Sequence, residues 1–295
     1  MNTGILYALA TYLLWAVLPI YWKQLHHVSA AQLIGHRIIW VFLMLLLVIL
    51  FTGQWKTFWE KLDAKTLKAH SLAALLLGTN WLIYVWAVNN GFIVESSLGY
   101  FINPLFSVLM GMIFLKEKLR PVQWIPLALA TLGVLYLTFA YGRLPWIALG
   151  LALTFGFYGL LKKQSSLGSL YGLTLETGII FIPALAYLIY TTSTGEGAFL
   201  VVDAKTDILL LGAGLTTAVP LLLFAKAVQR IPLTMIGLMQ YIAPTGQFLI
   251  GILLYKEAFS SSQAIGFGLI WIALLFFWME GWLNNRTHIH AEVVG

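Results

Sequence analysis

The chain has 295 residues, of which 60% are hydrophobic and 9% charged, a net charge of +6 and no cysteine. A soluble domain carries roughly a quarter charged residues, so a water-soluble globule is excluded, and disulfide or thiol chemistry is excluded with the cysteines. The basic excess does not point to nucleic acid, because lysine and arginine fall mainly in loops on one side of the apolar stretches, as the positive-inside rule expects.

In chain order, MNTGILYALATYLLW has neither a positive n-region nor a small-residue cleavage site and reads as a retained first helix. Apolar runs then follow one another, each near the ~20 residues that cross a bilayer. They predict about ten spans, at 4–22, 32–51, 70–90, 95–115, 122–140, 145–163, 169–191, 206–228, 234–255 and 262–282. The ten-residue alternation of a membrane β-barrel is missing. Links are short except near 52–69 and 192–205; the first mixes Trp and Phe with Lys and is a candidate interfacial helix. With the N-terminus inside, twelve basic residues fall on the inner side. Only Lys23, Arg37, Arg143, Lys205 and Lys256 fall on the outer side, so both termini are expected in the cytoplasm.

The stretch ESSLGYFINPLFSVLMGMIFLKE (95–117) carries a polar stripe of Ser96, Tyr100, Asn103 and Ser107, spaced to share one helical face. Adding 140 reaches Ile236, Gln240, Ala243 and Gln247, and maps Pro104 onto Pro244, Gly111 onto Gly251 and Lys116-Glu117 onto Lys256-Glu257. Ala87-Val88 with Ala227-Val228, and Gln123 with Gln263, keep the same offset. Five spans per copy is an odd number, so the copies face opposite ways. The expectation is an all-α polytopic protein with two inverted five-helix repeats, 1–141 and 142–283, and a cytoplasmic tail, 284–295. Inverted repeats place the substrate site near the midplane between them.

ESSLGYFINP (95–104), GTNWLIYVWAVNN (78–90), His36-Arg37 with Trp40, and QYIAPT (240–245) resemble the RarD proteins, a family in the EamA branch of the drug/metabolite transporter superfamily. The resemblance covers essentially the whole chain. It implies ten helices in two EamA repeats, in a bacterial inner or plasma membrane. RarD proteins are commonly labelled chloramphenicol-sensitivity permeases, which implies movement of a small molecule across the membrane.

Polar groups inside spans need a partner or water, which makes them site candidates. Tyr100 and Asn103 with Gln240 and Gln247 are expected to wall a substrate cavity. Asn80, Trp81 and Tyr84 form a further stripe, in which Trp81 suits stacking on a flat ligand, although packing is the commoner role of a buried Trp. Arg37 suits an anionic group or a snorkelling contact. Glu176 is the carboxylate well inside a span and His36 is its partner under the repeat; both are candidates for proton coupling, with a structural ion pair as the alternative for Glu176. Pro104 and Pro244 each free a mid-span carbonyl and mark kinks or hinges. Trp15, Trp40 and Trp271 read as packing residues, Asn89, Asn90 and Glu95 as helix caps, and Gly168 to Gly172 as a weak GxxxG.

No GxxxxGK[ST], HExxH or GxSxG occurs, and His288 and His290 are too few for a metal site, so no cofactor or metal is expected. The reading is a secondary transporter working by alternating access on a small metabolite or drug-like molecule, with the lipid bilayer as its surroundings and Gly-lined faces that allow a homodimer. Rival classes are a membrane-embedded enzyme or lipid-handling protein, which needs a nucleophile and base clustered in one span, a scaffold, which has no use for inverted copies, and a channel, which unsaturable flux that ignores inhibitors would favour.

Overall fold

The structure, a computed structural model, describes residues 2–90, 92–142, 144–256 and 261–294. Arg143 and Glu257, used above in the charge and repeat patterns, lie outside the described residues, as do the side chains of Asn89 and of tail residues 285–290. Among the described residues the chain is all-helical. In order come α1 (Thr3–Lys23), α2 (Ala30–Phe51), α3 (Trp55–Glu60), α4 (Ala64–Asn89), α5 (Ile93–Phe114) and a 3-10 turn (Pro121–Gln123). Then follow α6 (Trp124–Tyr141), α7 (Trp146–Gln164), α8 (Ser169–Ser193), α9 (Ala204–Arg230), α10 (Leu233–Gln240), α11 (Ile242–Leu253) and α12 (Ser261–Val294).

Among the described residues, eight stretches are long and apolar enough to cross a membrane: α1, α2, α5, the 3-10 turn with α6, α8, α9, α10 with α11, and α12 up to Glu280. The 21 residues of α1 rise about 31 Å, the thickness of a hydrocarbon core. Helices α4 and α7 fall at the remaining two expected spans, but Lys65, Lys68 and His70 in one, and Lys162 and Lys163 in the other, dilute their apolarity. Leu13, Leu75, Phe139, Ile182 and Ile208 are all more than half exposed, on outward faces that suit lipid rather than water.

The helix starts follow from their caps. Asn2 accepts from the Gly4 N–H at 2.8 Å. Asp63 accepts from the Thr66 N–H at 2.7 Å, so α4 begins at Ala64, earlier than the expected 70, and the interfacial helix α3 spans only Trp55–Glu60. Asp203 accepts from the Thr206 N–H at 2.6 Å to open α9. Gly142, at φ +79°, ends α6 in the left-handed conformation that glycine adopts without a Cβ clash. The expected span 234–255 is interrupted at Tyr241. Pro244 has no N–H to give the Gln240 carbonyl, which loosens the helix one turn upstream. Pro104, in contrast, sits inside a continuous α5.

The helices that touch most are far apart in sequence: α2 packs on α8, α5 on α10 and α6 on α12; α1 lies against α9 and α11, and α7 against α4 and α5. Several crossings bring backbones together, two of them through a carbonyl oxygen. A Cβ at Gly237 would stand 2.6 Å from the Pro104 carbonyl oxygen, and one at Gly133 would stand 2.9 Å from the Gly266 carbonyl oxygen.

Candidate functional site

A cavity of about 480 Å³ lies among α1, α2, α4, α5, α7, α9, α10 and α11. Tyr100, Asn103, Gln240, Gln247, Asn80, Trp81, Tyr84 and Arg37, the expected binding residues, all line it, as does Pro244. Tyr100 is 42% exposed although it sits mid-helix, because its ring faces this space rather than a neighbouring helix. The i, i+4, i+7 stripe of α5 puts Ser96, Tyr100 and Asn103 on the wall. Its last member, Ser107, lies off the wall and donates to Gln240 Oε1 at 3.2 Å.

Several wall groups are held in place by the neighbouring helices. Asn80 Nδ2 donates to the Leu151 carbonyl and to Thr154 Oγ1, each at 2.9 Å, which ties α4 to α7. Gln247 Nε2 donates to the Trp15 carbonyl at 2.9 Å. Arg37 Nε donates to Thr217 Oγ1 at 2.9 Å, and its guanidinium carbon lies 5.1 Å from the Trp22 ring and 4.9 Å from the Trp81 ring. Asn103 Oδ1 is buried and has no hydrogen-bond partner among the described residues.

The floor is aromatic. Trp15 lies 5.9 Å from Phe155 and 5.7 Å from Phe224, and Phe224 stacks on Tyr158 at 6.3 Å. Below it the Tyr158 hydroxyl donates to Glu176 Oε2 at 3.0 Å. Glu176 Oε1 meets Lys162 Nζ at 2.8 Å and His70 Nδ1 at 2.6 Å, and His70 Nε2 meets Ser165 Oγ at 2.9 Å. All of Glu176, Lys162 and His70 are buried. Leu151, Phe155, Tyr158 and Lys162 share one face of α7, so a single helix face runs from the cavity to this ion cluster. Gly172, read in sequence as part of a GxxxG, lets the cluster close: a Cβ there would stand 2.8 Å from His70 and 2.9 Å from Lys162.

Glu176 and His36 therefore lie apart from the cavity wall. His36 lines a shallower cleft with Trp40 and Phe199, 5.3 Å from the Phe199 ring, and its Nδ1 has no partner among the described residues. Pro104 is buried in α5 against Gly237 rather than on the wall. Glu95 sits in the first turn of α5 as expected, but it caps another helix: its carboxylate accepts from the Ile147 N–H at the start of α7 and from the Tyr141 hydroxyl, both at 2.7 Å. Sequence reading missed Trp15, Trp22, Phe155 and Thr217 on the wall, and His70, Tyr158 and Lys162 around Glu176. The i, i+4 spacing of Tyr158 and Lys162 was the available signal. No group of three His, Cys, Asp or Glu is placed to hold a metal among the described residues.

Residues 2–139 match the model of the EamA-like transporter family. The chain is 46% identical over 280 residues to an uncharacterized transporter, YojE, of Bacillus subtilis, with 93% of each chain covered. It is 40% identical to a RarD protein of Streptomyces exfoliatus, over 93% of this chain and 87% of that one, and 39% identical to RarD of Escherichia coli K12, over 96% of each. A crystal structure only 16% identical superposes with a TM-score of 0.70 over 92% of this chain and 96% of its own length, a likeness of fold alone.

Proposed function

The chain belongs to the RarD family of EamA-like transporters, within the drug/metabolite transporter superfamily, and from that premise we propose that it moves a small organic molecule across a bacterial cytoplasmic membrane by alternating access. The carrying observation is the 480 Å³ cavity at mid-helix depth, walled by polar and aromatic residues from both halves of the chain. A volume of this size suits a small ligand.

In this reading α4 and α7 join the eight apolar stretches to make ten spans, arranged as inverted repeats 1–141 and 142–283. The helix pairing supports it, since α1 on α9 and α1 on α11 are the counterparts of α7 on α4 and α7 on α5. Asp63-Ala-Lys-Thr66 and Asp203-Ala-Lys-Thr206 are the same tetrapeptide 140 positions apart, and each caps its helix by the same bond. Lys116 and Lys256, also 140 apart, have φ of 54° and 56°, a backbone state rare outside glycine. The Tyr241 hydroxyl donates to the carbonyl of Phe101, its own repeat counterpart, at 3.2 Å.

With both termini cytoplasmic, as the basic residues argue, the Glu176 cluster lies at the cytoplasmic end and closes it, while the cavity lies toward the other end. Proton coupling then acts through the closure. A proton on Glu176 neutralises the carboxylate shared by Lys162, His70 and Tyr158 and so weakens the hold of α7 on α8. Pro104 and Pro244 are the proposed pivots. The test is solute counterflow into proteoliposomes. Saturable flux that falls at least about tenfold in Asn103→Ala and Gln240→Ala is the expected result, and Glu176→Gln should transport without responding to a pH gradient. Unsaturable flux, or Glu176→Gln driven normally by the gradient, would sink the respective halves of the reading.

A further inference from the structure

Among the described residues Arg37 is the only formally charged one on the cavity wall, and no Asp or Glu lines it. Its Nε is occupied by Thr217, and its two terminal nitrogens have no hydrogen-bond partner among the described residues. The Trp22 and Trp81 rings hold the guanidinium on the wall, but neither supplies an acceptor. Arg37 is half-buried beside the cavity, and no carboxylate lines that cavity among the described residues, so the charge on this wall is unmatched. A planar guanidinium with its fork free matches a carboxylate, which it binds through two parallel N–H···O bonds.

A second observation is independent of charge. Asn103, a residue 7% exposed on the wall of the same cavity, has a buried Oδ1 with no donor among the described residues. An unmatched buried acceptor is unfavourable, and a ligand N–H or O–H that reached it would recover the lost hydrogen bond. Between these two points the wall is largely aromatic, with Trp15, Tyr84, Tyr100 and Phe155. One guanidinium balances one negative charge; a second negative charge would stand unpaired among these rings.

We propose that the cavity takes an organic monoanion, with its carboxylate on Arg37, a hydrogen-bond donor on Asn103 Oδ1 and a flat apolar body between the aromatic side chains. This rests on the transport-site reading above and names the class of its substrate.

The test is a charge series built on one phenyl ring: phenylacetate, phenylacetamide, phenethylamine, phenyl phosphate and mandelate. Binding to the full-length protein in detergent is read by calorimetry. Phenylacetate should bind about tenfold more tightly than the amide, a difference of about 1.4 kcal/mol, and more tightly than the amine or the phosphate. Mandelate, which adds an O–H, should bind a few-fold more tightly than phenylacetate, and that gain should vanish in Asn103→Ala. Arg37→Gln should erase the preference for the acid over the amide, and Arg37→Lys should keep part of it, which separates lost charge from lost folding. Equal or better binding of the amide, amine or phosphate overturns the monoanion assignment and leaves the cavity a ligand site. Failure of the whole series to bind overturns the assignment too. If counterflow is also absent for every solute tried, the transport reading falls with it.

Discussion

The two ends of this bundle treat charge in opposite ways, at positions related by the 140-residue offset. At one end, Glu176 is enclosed by Lys162, His70 and Tyr158, and every charge has a partner within 2.8 Å. At the other, the counterparts of Lys162 and Glu176 are Trp22 and His36. There the guanidinium of Arg37, next to His36, rests against Trp22 and Trp81, and its terminal nitrogens have no partner among the described residues. In the proposed reading one end is a latch and the other a receptor. The paired charge holds helices together, whereas the half-buried charge left unmatched is there for a ligand.

The contrast breaks most sharply at the latch. Lys162→Met strands the Glu176 carboxylate and should cost on the order of 3–5 kcal/mol, read as a drop in apparent melting temperature in detergent. Adding Glu176→Gln should restore more than half of it; a double variant no more stable than the single one would mean that the pair is not the source. Gly172→Ala pushes a methyl into His70 and Lys162 and should cost roughly 1–3 kcal/mol by overpacking, with unchanged stability counting against a tightly closed cluster. Arg37→Gln, at the receptor end, should shift stability by no more than about 1 kcal/mol, the scale of its cation–π contacts. A loss as large as that of Lys162→Met would erase the distinction between the ends.

The smallest effect is one of pH. The Thr66 hydroxyl and N–H hold the Asp63 carboxyl below the usual carboxylate range, and the Thr206 N–H and hydroxyl do the same for Asp203. A depressed folded-state pKa gives stability that is full above the unfolded value of about 4 and is lost as pH falls below it. Amide exchange in the first turns of α4 and α9 should therefore quicken below that pH at both ends alike. In Asp203→Asn, which caps without titrating, the acceleration should disappear at α9 only.

Much of the fold was legible because apolar length and charge sidedness are one-dimensional signals. Residues on the α5 stripe reached the cavity wall because helical spacing fixes which side chains share a face. The same spacing in Leu151, Phe155, Tyr158 and Lys162 is masked by its chemistry, since an aliphatic and two aromatic residues do not stand out in a chain this apolar. Lys162 read as a loop-side positive charge, and only the three-dimensional packing of α4, α7 and α8 shows His70 and Lys162 converging on Glu176. Trp15 and Trp22 were hidden among twelve tryptophans. The repeated Asp-Ala-Lys-Thr was present to be read, but it lies in the two links outside the spans, where attention to apolar periodicity does not reach. The break at Tyr241 was not legible, since Pro104 sits unbroken in the counterpart helix.

The contact between Gly237 and the Pro104 carbonyl has a mechanical side. Where two rods touch backbone to backbone, they can turn about the contact with almost no sliding, as scissor blades turn about a rivet. The 22 residues of α5 reach about 16 Å to either side of their middle. A turn of roughly 15°, the scale of known subunit rotations, therefore displaces their tips by roughly 4 Å while the joint stays still. Glu117, which accepts from the N–H groups of Leu233 and Thr234 at 2.7 and 2.8 Å, ties the end of one blade to the start of the other. In the proposed reading the blades spread at the cavity end by giving up the bond from Tyr241 to Phe101 and stay leashed at the latch end.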